Sequence, residues 1–199
     1  MEKIFPKGIA ERIRHEGKGF INKHESCSVL FADIVCFTKL SESMAPSDLI
    51  SFLNEIFGRF DDLTEKFGLQ KIKTIGDAYM VASCSPNSNS KHADVIIQLA
   101  LEFLTVINSY DNISIRIGIN SGSLIEGVIG KKKFTYDLWG GAVDIASKME
   151  STGIPGSIQI TKDTYKLLKT KYNFLEKKVH LNHNNHFVTY LFDLSNNLK

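Results

Sequence analysis

A chain of 199 residues, 43% of them hydrophobic and 23% charged, carries enough apolar material for the core of one ordinary domain. Its net charge of +2, with both signs interspersed, excludes the broad basic footprint of a protein that holds nucleic acid or an anionic membrane. No apolar run approaches the roughly 18–20 residues that cross a bilayer, and no leader pattern is visible, so a cytoplasmic domain is expected, with longer native flanks free to tether it.

Residues 1–25 are mixed and charged, with Ile4, Phe5, Ile9 and Ile13 falling around Pro6 and Gly8. A lead-in segment is expected there, and the domain proper over 26–199. Cys27-Ser-Val-Leu-Phe-Ala-Asp-Ile-Val35 is a short apolar run that reads as a buried strand ending near Asp33. From Ser47 to Phe67, apolar residues recur at helical intervals (Leu49, Ile50, Leu53, Ile56, Phe57, Phe60, Leu63), and Gly68 suits the position just past a helix end. Lys71–Ile75 and Ala78–Ser83 read as strands joined by a tight Gly76-Asp77 turn, which projects Asp77 at a bend.

Cys84–Ser90 is a Ser/Asn/Pro loop, after which helical spacing resumes from His92 to Ser109. Ser114–Asn120 alternates as a strand does, and Gly118, Gly122, Gly127 and Gly130 are expected to cut this region into short pieces. Lys131-Lys-Lys133 reads as a solvated hairpin tip, Lys133–Trp139 as a strand, and the stretch from the Gly140-Gly141 break to Glu150 as a helix closed by Gly153-Ile-Pro-Gly156. A strand at Ile158–Thr161, a short helix at Thr164–Lys169 and a strand at Val188–Leu194 complete a layered pattern of helices on a mostly antiparallel sheet. Cys27, Cys36 and Cys84 are odd in number and lack CxxC spacing, which favours reduced thiols over a disulfide framework or a zinc site.

Two acidic residues stand inside apolar strand sequence: Asp33 in Leu30-Phe-Ala-Asp-Ile-Val35 and Asp77 in Ile75-Gly-Asp-Ala78. A carboxylate flanked by core residues is costly unless paired, hydrogen-bonded or bound to a cation. Two of them at neighbouring strand ends suit hard divalent cations whose coordination substrate phosphates complete. Either aspartate alone is better explained as a turn cap or a lysine partner.

Three longer segments decide between these readings. Leu30-Phe-Ala-Asp-Ile-Val-Cys-Phe-Thr38, Lys71-Ile-Lys-Thr-Ile-Gly-Asp-Ala-Tyr-Met80 and Tyr136-Asp-Leu-Trp-Gly140 resemble, in order and spacing, the signature segments of class III adenylyl and guanylyl cyclases. The likeness runs from about Phe5 to Leu194, and Ile4-Phe-Pro-Lys-Gly-Ile-Ala-Glu-Arg12 is similar to the segment that precedes the catalytic domain in many bacterial members.

The resemblance implies an α+β fold: a ferredoxin-like βαββαβ core with extensions, its mostly antiparallel sheet flanked by helices. It also implies a nucleoside triphosphate substrate and a head-to-tail homodimer with active sites at the subunit interface. Two metal ions, Mg²⁺ or Mn²⁺, would be held by Asp33, Asp77 and the backbone carbonyl of Ile34. One would activate the ribose 3′-hydroxyl and the other would bind the triphosphate. Phe37 and Thr38 match the phosphate-contacting loop, and Arg116 matches a phosphate-contacting arginine. Lys73 and Asp137 match the pair that reads adenine, where guanylyl cyclases carry Glu and Cys or a similar residue. Lysine only donates and aspartate only accepts, which complements adenine's ring acceptor and amino donor. Leu138 and Trp139 of the same motif belong with the substrate-binding positions.

The chain departs from the family pattern in three places. Asp144 and Lys148 stand where the family carries a ribose-orienting Asn and a charge-stabilising Arg, and lysine lacks the planar fork of arginine. Retuned chemistry, weakened chemistry and a plain i,i+4 helix pair are the readings open for these two. Cys36 replaces a glycine of the phosphate loop. Val179-His-Leu-Asn-His-Asn-Asn-His186 replaces a loop that supplies a phosphate-binding lysine, with Asn184 nearest that position. Its His180, His183 and His186 spacing is better explained by a polar loop than by a metal site.

The expected function is conversion of ATP to 3′,5′-cyclic AMP and pyrophosphate. The alternatives are GTP or a pyrimidine nucleotide as substrate, or a nucleotide-binding module without turnover. An RNA-binding sheet would need exposed aromatics on basic strands, which Val29–Ile34 and Ile115–Ile119 do not offer.

Overall fold

The computed structural model describes residues 9, 11, 20–85, 91–130, 134–182 and 185–197. Most of the 1–25 lead-in, the Lys131–Lys133 tip, Asn184 and the side chains of the His180, His183 and His186 series lie outside the described residues.

The chain runs β1 (Ile21–Ile34), α1 (Phe37–Ser43), α2 (Pro46–Lys66), β2 (Gln70–Ile75), β3 (Ala78–Cys84), α3 (Lys91–Ile107) and β4 (Ile115–Ile129). It continues through β5 (Thr135–Trp139), α4 (Gly141–Ser151), β6 (Ser157–Thr161), α5 (Lys162–Leu168), β7 (Phe174–Asn182), β8 (Asn185–Phe192) and α6 (Leu194–Asn197). One eight-stranded sheet has the order β2-β3-β1-β4-β6-β8-β7, with β5 paired to β4 off that path. Its first four strands are antiparallel in the order β2-β3-β1-β4, the arrangement of a βαββαβ ferredoxin-like core. Among the described residues, only the β4–β6 pairing is parallel.

The sheet buries both faces. On one, α2 and α3 cover Leu30, Ala32, Tyr79, Val81, Ile117 and Ile119; Phe60 and Phe103 stack at 3.8 Å with Tyr79 set edge-on against both. On the other, α4 lays Ala142 and Ala146 against Val29, Phe31, Met80 and Leu124. Because side chains alternate along a strand, Asp33 shares the α4 face with Val29 and Phe31.

Several elements differ from the sequence expectation, among them α1 and α6, which were not foreseen, and three strands. β1 begins at Ile21 rather than Cys27, running through the expected boundary at 25/26; its added residues alternate between exposed and half-buried and pair with β4, so no apolar run betrays them. β4 is one strand of 15 residues, not short pieces. Its glycines serve close approach instead of turning: a Cβ on Gly118 would lie 2.0 Å from the Glu150 backbone nitrogen, and one on Gly127 would lie 2.8 Å from the Phe20 carbonyl oxygen. β7 was not foreseen, since Phe-Leu-Glu-Lys-Lys-Val shows no clean alternation.

The cysteine expectation is also overturned. Cys27 and Cys84 are directly opposed on β1 and β3, with Cα atoms 4.1 Å apart, and form a disulfide across 57 residues of sequence. Cross-strand pairing of this kind leaves no local spacing signature. Cys36 is free and exposed.

Candidate active site

β1 ends with Asp33 directly opposite Arg116 of β4 and Ala78 of β3. Paired residues in an antiparallel ladder share a face, and Arg116 Nη2 donates to Asp33 Oδ2 at 2.7 Å. Asp77 sits one residue before Ala78, in the two-residue turn where Gly76 takes φ 61°. The turn brings the Asp77 carboxyl near enough to Asp33 for the two charges to act on one another. Burial, and then the neighbouring Asp33 charge, push the Asp77 carboxyl above its ordinary range.

A third carboxylate joins this group. Arg116 Nε donates to Glu150 Oε1 at 2.8 Å, so the guanidinium is clasped between Asp33 and Glu150. Glu150 is 8% exposed, and burial, together with the Asp33 charge, holds its carboxyl above the ordinary range although Arg116 pulls the other way. Sequence reasoning did not single out Glu150. The available signal was its position four residues after Ala146 and eight after Ala142, on the stripe of α4 that faces the core.

Three carboxylates against one guanidinium leave negative charge under-compensated, and every donor is a hard oxygen. Such a set of oxygen donors suits a hard divalent cation. Ile34 is buried beside them at 2% exposure.

α1 starts immediately after this strand end. Cys36 precedes it in the left-handed region at φ 59°, ψ 29°, at the place where the family carries glycine; a non-glycine residue there costs about 1–2 kcal/mol. Phe37 and Thr38 form the first turn of α1, with Phe37 half-buried against the core and Thr38 exposed.

A second group forms where β5 faces β2. Lys73 Nζ donates to Asp137 Oδ2 at 2.5 Å, and the Leu138 amide donates to Asp137 Oδ1 at 2.9 Å. Leu138 is buried at 5% in the α4-side core, and the Trp139 ring comes within 3.2 Å of where a Gly127 Cβ would lie. Below the pair, Gln70 Nε2 donates to the Tyr136 hydroxyl at 2.7 Å, and that hydroxyl donates to Glu126 Oε1 at 3.1 Å. Among the described residues, no hydrogen bond or ion pair joins the Lys73–Asp137 pair to the Asp33–Asp77–Arg116 group.

Asp144 and Lys148 stand one turn apart on the exposed side of α4, and among the described residues they form no ion pair with one another. The plain i,i+4 helix pair is therefore not formed.

No helix among the described residues is long and apolar enough to cross a membrane. A family model for adenylate and guanylate cyclase catalytic domains matches residues 20–193. An adenylate cyclase of Mycobacterium tuberculosis is 38% identical over 185 residues, covering 90% of this chain and 42% of the relative. A membrane guanylyl cyclase of Dictyostelium discoideum is 37% identical over 180 residues, covering 87% of this chain and 12% of its own. The chain thus spans less than half the length of these curated relatives. Among solved structures, the guanylate cyclase domain of RhGC from Catenaria anguillulae in complex with GTP superposes with a TM-score of 0.81 at 32% identity, over 86% of this chain and 98% of that one.

Proposed function

We propose a specific activity for this chain, which belongs to the family of adenylate and guanylate cyclase catalytic domains: it converts ATP to 3′,5′-cyclic AMP and pyrophosphate. The observation that carries the reading is the convergence of Asp33 and Asp77 on one strand end, with Arg116 directly across. Two divalent cations, Mg²⁺ or Mn²⁺, held by Asp33, Asp77 and the Ile34 carbonyl, would supply activation of the 3′-hydroxyl and neutralisation of the triphosphate.

The chain's own groups do the rest. Arg116 is pre-oriented by Glu150 and presents its guanidinium beside the carboxylates, where phosphate oxygens would compete for it. The backbone amides of Phe37 and Thr38 are unclaimed by the helix they begin and are available to phosphate. Lys73 keeps two N–H donors after its bond to Asp137, enough to meet adenine's ring nitrogen, while Asp137 accepts from the 6-amino group. Guanine presents the opposite pattern and would leave mismatched groups buried.

On this reading each active site is assembled from two copies, head to tail, one supplying Lys73 and Asp137 and the other Asp33 and Asp77. Among the described residues, no hydrogen bond or ion pair joins the two groups within one chain. Ile75, beside the Asp77 turn, and Ile145, on α4 between Asp144 and Lys148, are both exposed and would be covered by the partner. The test is direct. Asp33→Ala and Asp77→Ala should each lower cyclic nucleotide formation at least about a thousandfold while circular dichroism and melting stay near wild type. Full turnover by either variant removes the cation assignment.

The substitutions Asp144 and Lys148 favour a second reading, in which the pocket accepts GTP or a pyrimidine nucleotide, or binds triphosphate with little turnover. Product identity across the four nucleotides separates these.

A further inference from the structure

The α4 face holds a second cluster of metal-ligating side chains at the far end of β1, six residues and about 20 Å along the strand from Asp33. His24 and Cys27 are three apart, and regular alternation would place them on opposite faces. A bulge between them restores His24 to the Cys27 side. Cys84 lies directly opposite Cys27. The result is a ring nitrogen of His24 and both sulfurs, all within 4.8 Å of one another.

The histidine is held from behind. His24 Nε2 and Glu126 Oε2 are 2.6 Å apart, and Glu126 also accepts from the Tyr136 hydroxyl, which Gln70 fixes in turn. A carboxylate bonded to one ring nitrogen of a histidine, leaving the other for a cation, is the arrangement that supports metal-bound imidazole. A cavity of about 300 Å³, lined by His24, Gln70, Cys84, Glu126, Tyr136 and Leu138, gives access. Cys27 is fully buried and Cys84 is exposed, so one sulfur of the pair is open to attack.

We propose that Cys27, Cys84 and His24 form a redox-gated site for one borderline-soft divalent cation of the Zn²⁺ class. With the sulfurs joined, as in this structure, the site is closed. A dithiol reductant opens it: its thiolate attacks the exposed Cys84 sulfur, Cys27 leaves as a thiolate, and the reductant's second thiol releases Cys84 and becomes a disulfide. Two electrons pass to the protein pair. The cation then binds both thiolates and the imidazole, and two protons are released relative to the dithiol. The fourth position of a tetrahedral ion falls to water. Sulfur and imidazole donors distinguish this site from the all-oxygen group at Asp33 and Asp77.

The experiment uses the whole chain in a Cys36→Ser background, which removes the free exposed thiol. Protein reduced with a phosphine is titrated with Co²⁺, and thiolate-to-cobalt charge-transfer absorption is read, since carboxylate sites give none. One equivalent should bind with tetrahedral cobalt bands, Zn²⁺ should displace it, and the oxidised protein should give no signal. Cys84→Ser, at an exposed position that tolerates change, should abolish the charge-transfer band. Glu126→Gln should weaken binding about 10- to 100-fold. A reduced, folded protein with no charge-transfer band overturns the proposal, and so does a band that persists unchanged in Cys84→Ser.

Discussion

Lys73 and Asp137 lie 64 residues apart in sequence and meet at 2.5 Å, so neither side chain has to be gathered when a base arrives. On the proposed reading, this pre-formed pair sets the choice of nucleotide. Replacing it with Lys73→Glu and Asp137→Cys should shift the ATP/GTP ratio of kcat/KM toward GTP by at least about tenfold, which is worth about 1.4 kcal/mol of discrimination. Steady-state rates on both nucleotides measure this. Asp144 and Lys148 carry the opposite expectation. Asp144→Asn with Lys148→Arg returns an uncharged donor and a planar fork to the exposed side of α4, and should raise kcat about tenfold or more. An unchanged kcat would mean that the site is built around the residues it has. Asp33 and Asp77 were legible in the sequence because a carboxylate inside apolar strand sequence must be accounted for. Glu150 was not, because its partner Arg116 is 34 residues away and only the contact explains its burial.

β4 and α4 form the element pair on which the Asp33–Arg116–Glu150 group depends. Gly118 lets the helix backbone rest against the strand, and that contact brings Glu150 to Arg116. A methyl group at this position would meet backbone atoms at 2.0–2.6 Å, which no side-chain rotation relieves. Gly118→Ala should therefore cost about 1–3 kcal/mol in denaturant unfolding, and turnover should fall further than the unfolded fraction explains because Arg116 loses its clasp. Unaltered stability would mean that α4 shifts freely on the sheet. The sequence pattern located α2, α3, the β2–β3 turn and α4 because their apolar spacing or glycine punctuation is local. It mistook the β4 glycines for breaks, since a glycine needed for close approach and one needed for a turn look alike until the neighbour is known. The Cys27–Cys84 bond was hidden for the same reason: its cause is strand register.

The whole molecule shows why the resemblance carried so far. The order β2-β3-β1-β4 puts the ends of β1 and β4 and the β2–β3 turn side by side, so the motifs that carry Asp33 and Asp77 meet beside Arg116. β6 pairs with β4 beside that corner, Ser157 lying opposite Arg116, and β8 and β7 widen the sheet beyond it. On the proposed reading, activity is a property of two copies, one supplying Lys73 and Asp137 and the other Asp33 and Asp77. The most direct measurement incubates the purified chain with Mn²⁺ and each of the four nucleoside triphosphates over a wide range of protein concentration, and identifies the cyclic product. Cyclic AMP from ATP, in clear excess over the other three products, with specific activity rising as the chain associates, is the predicted result. Absence of any cyclic product, despite a folded chain that binds triphosphate, would contradict the proposed activity. A specific activity independent of concentration, in a chain that sediments as a monomer, would contradict the shared site.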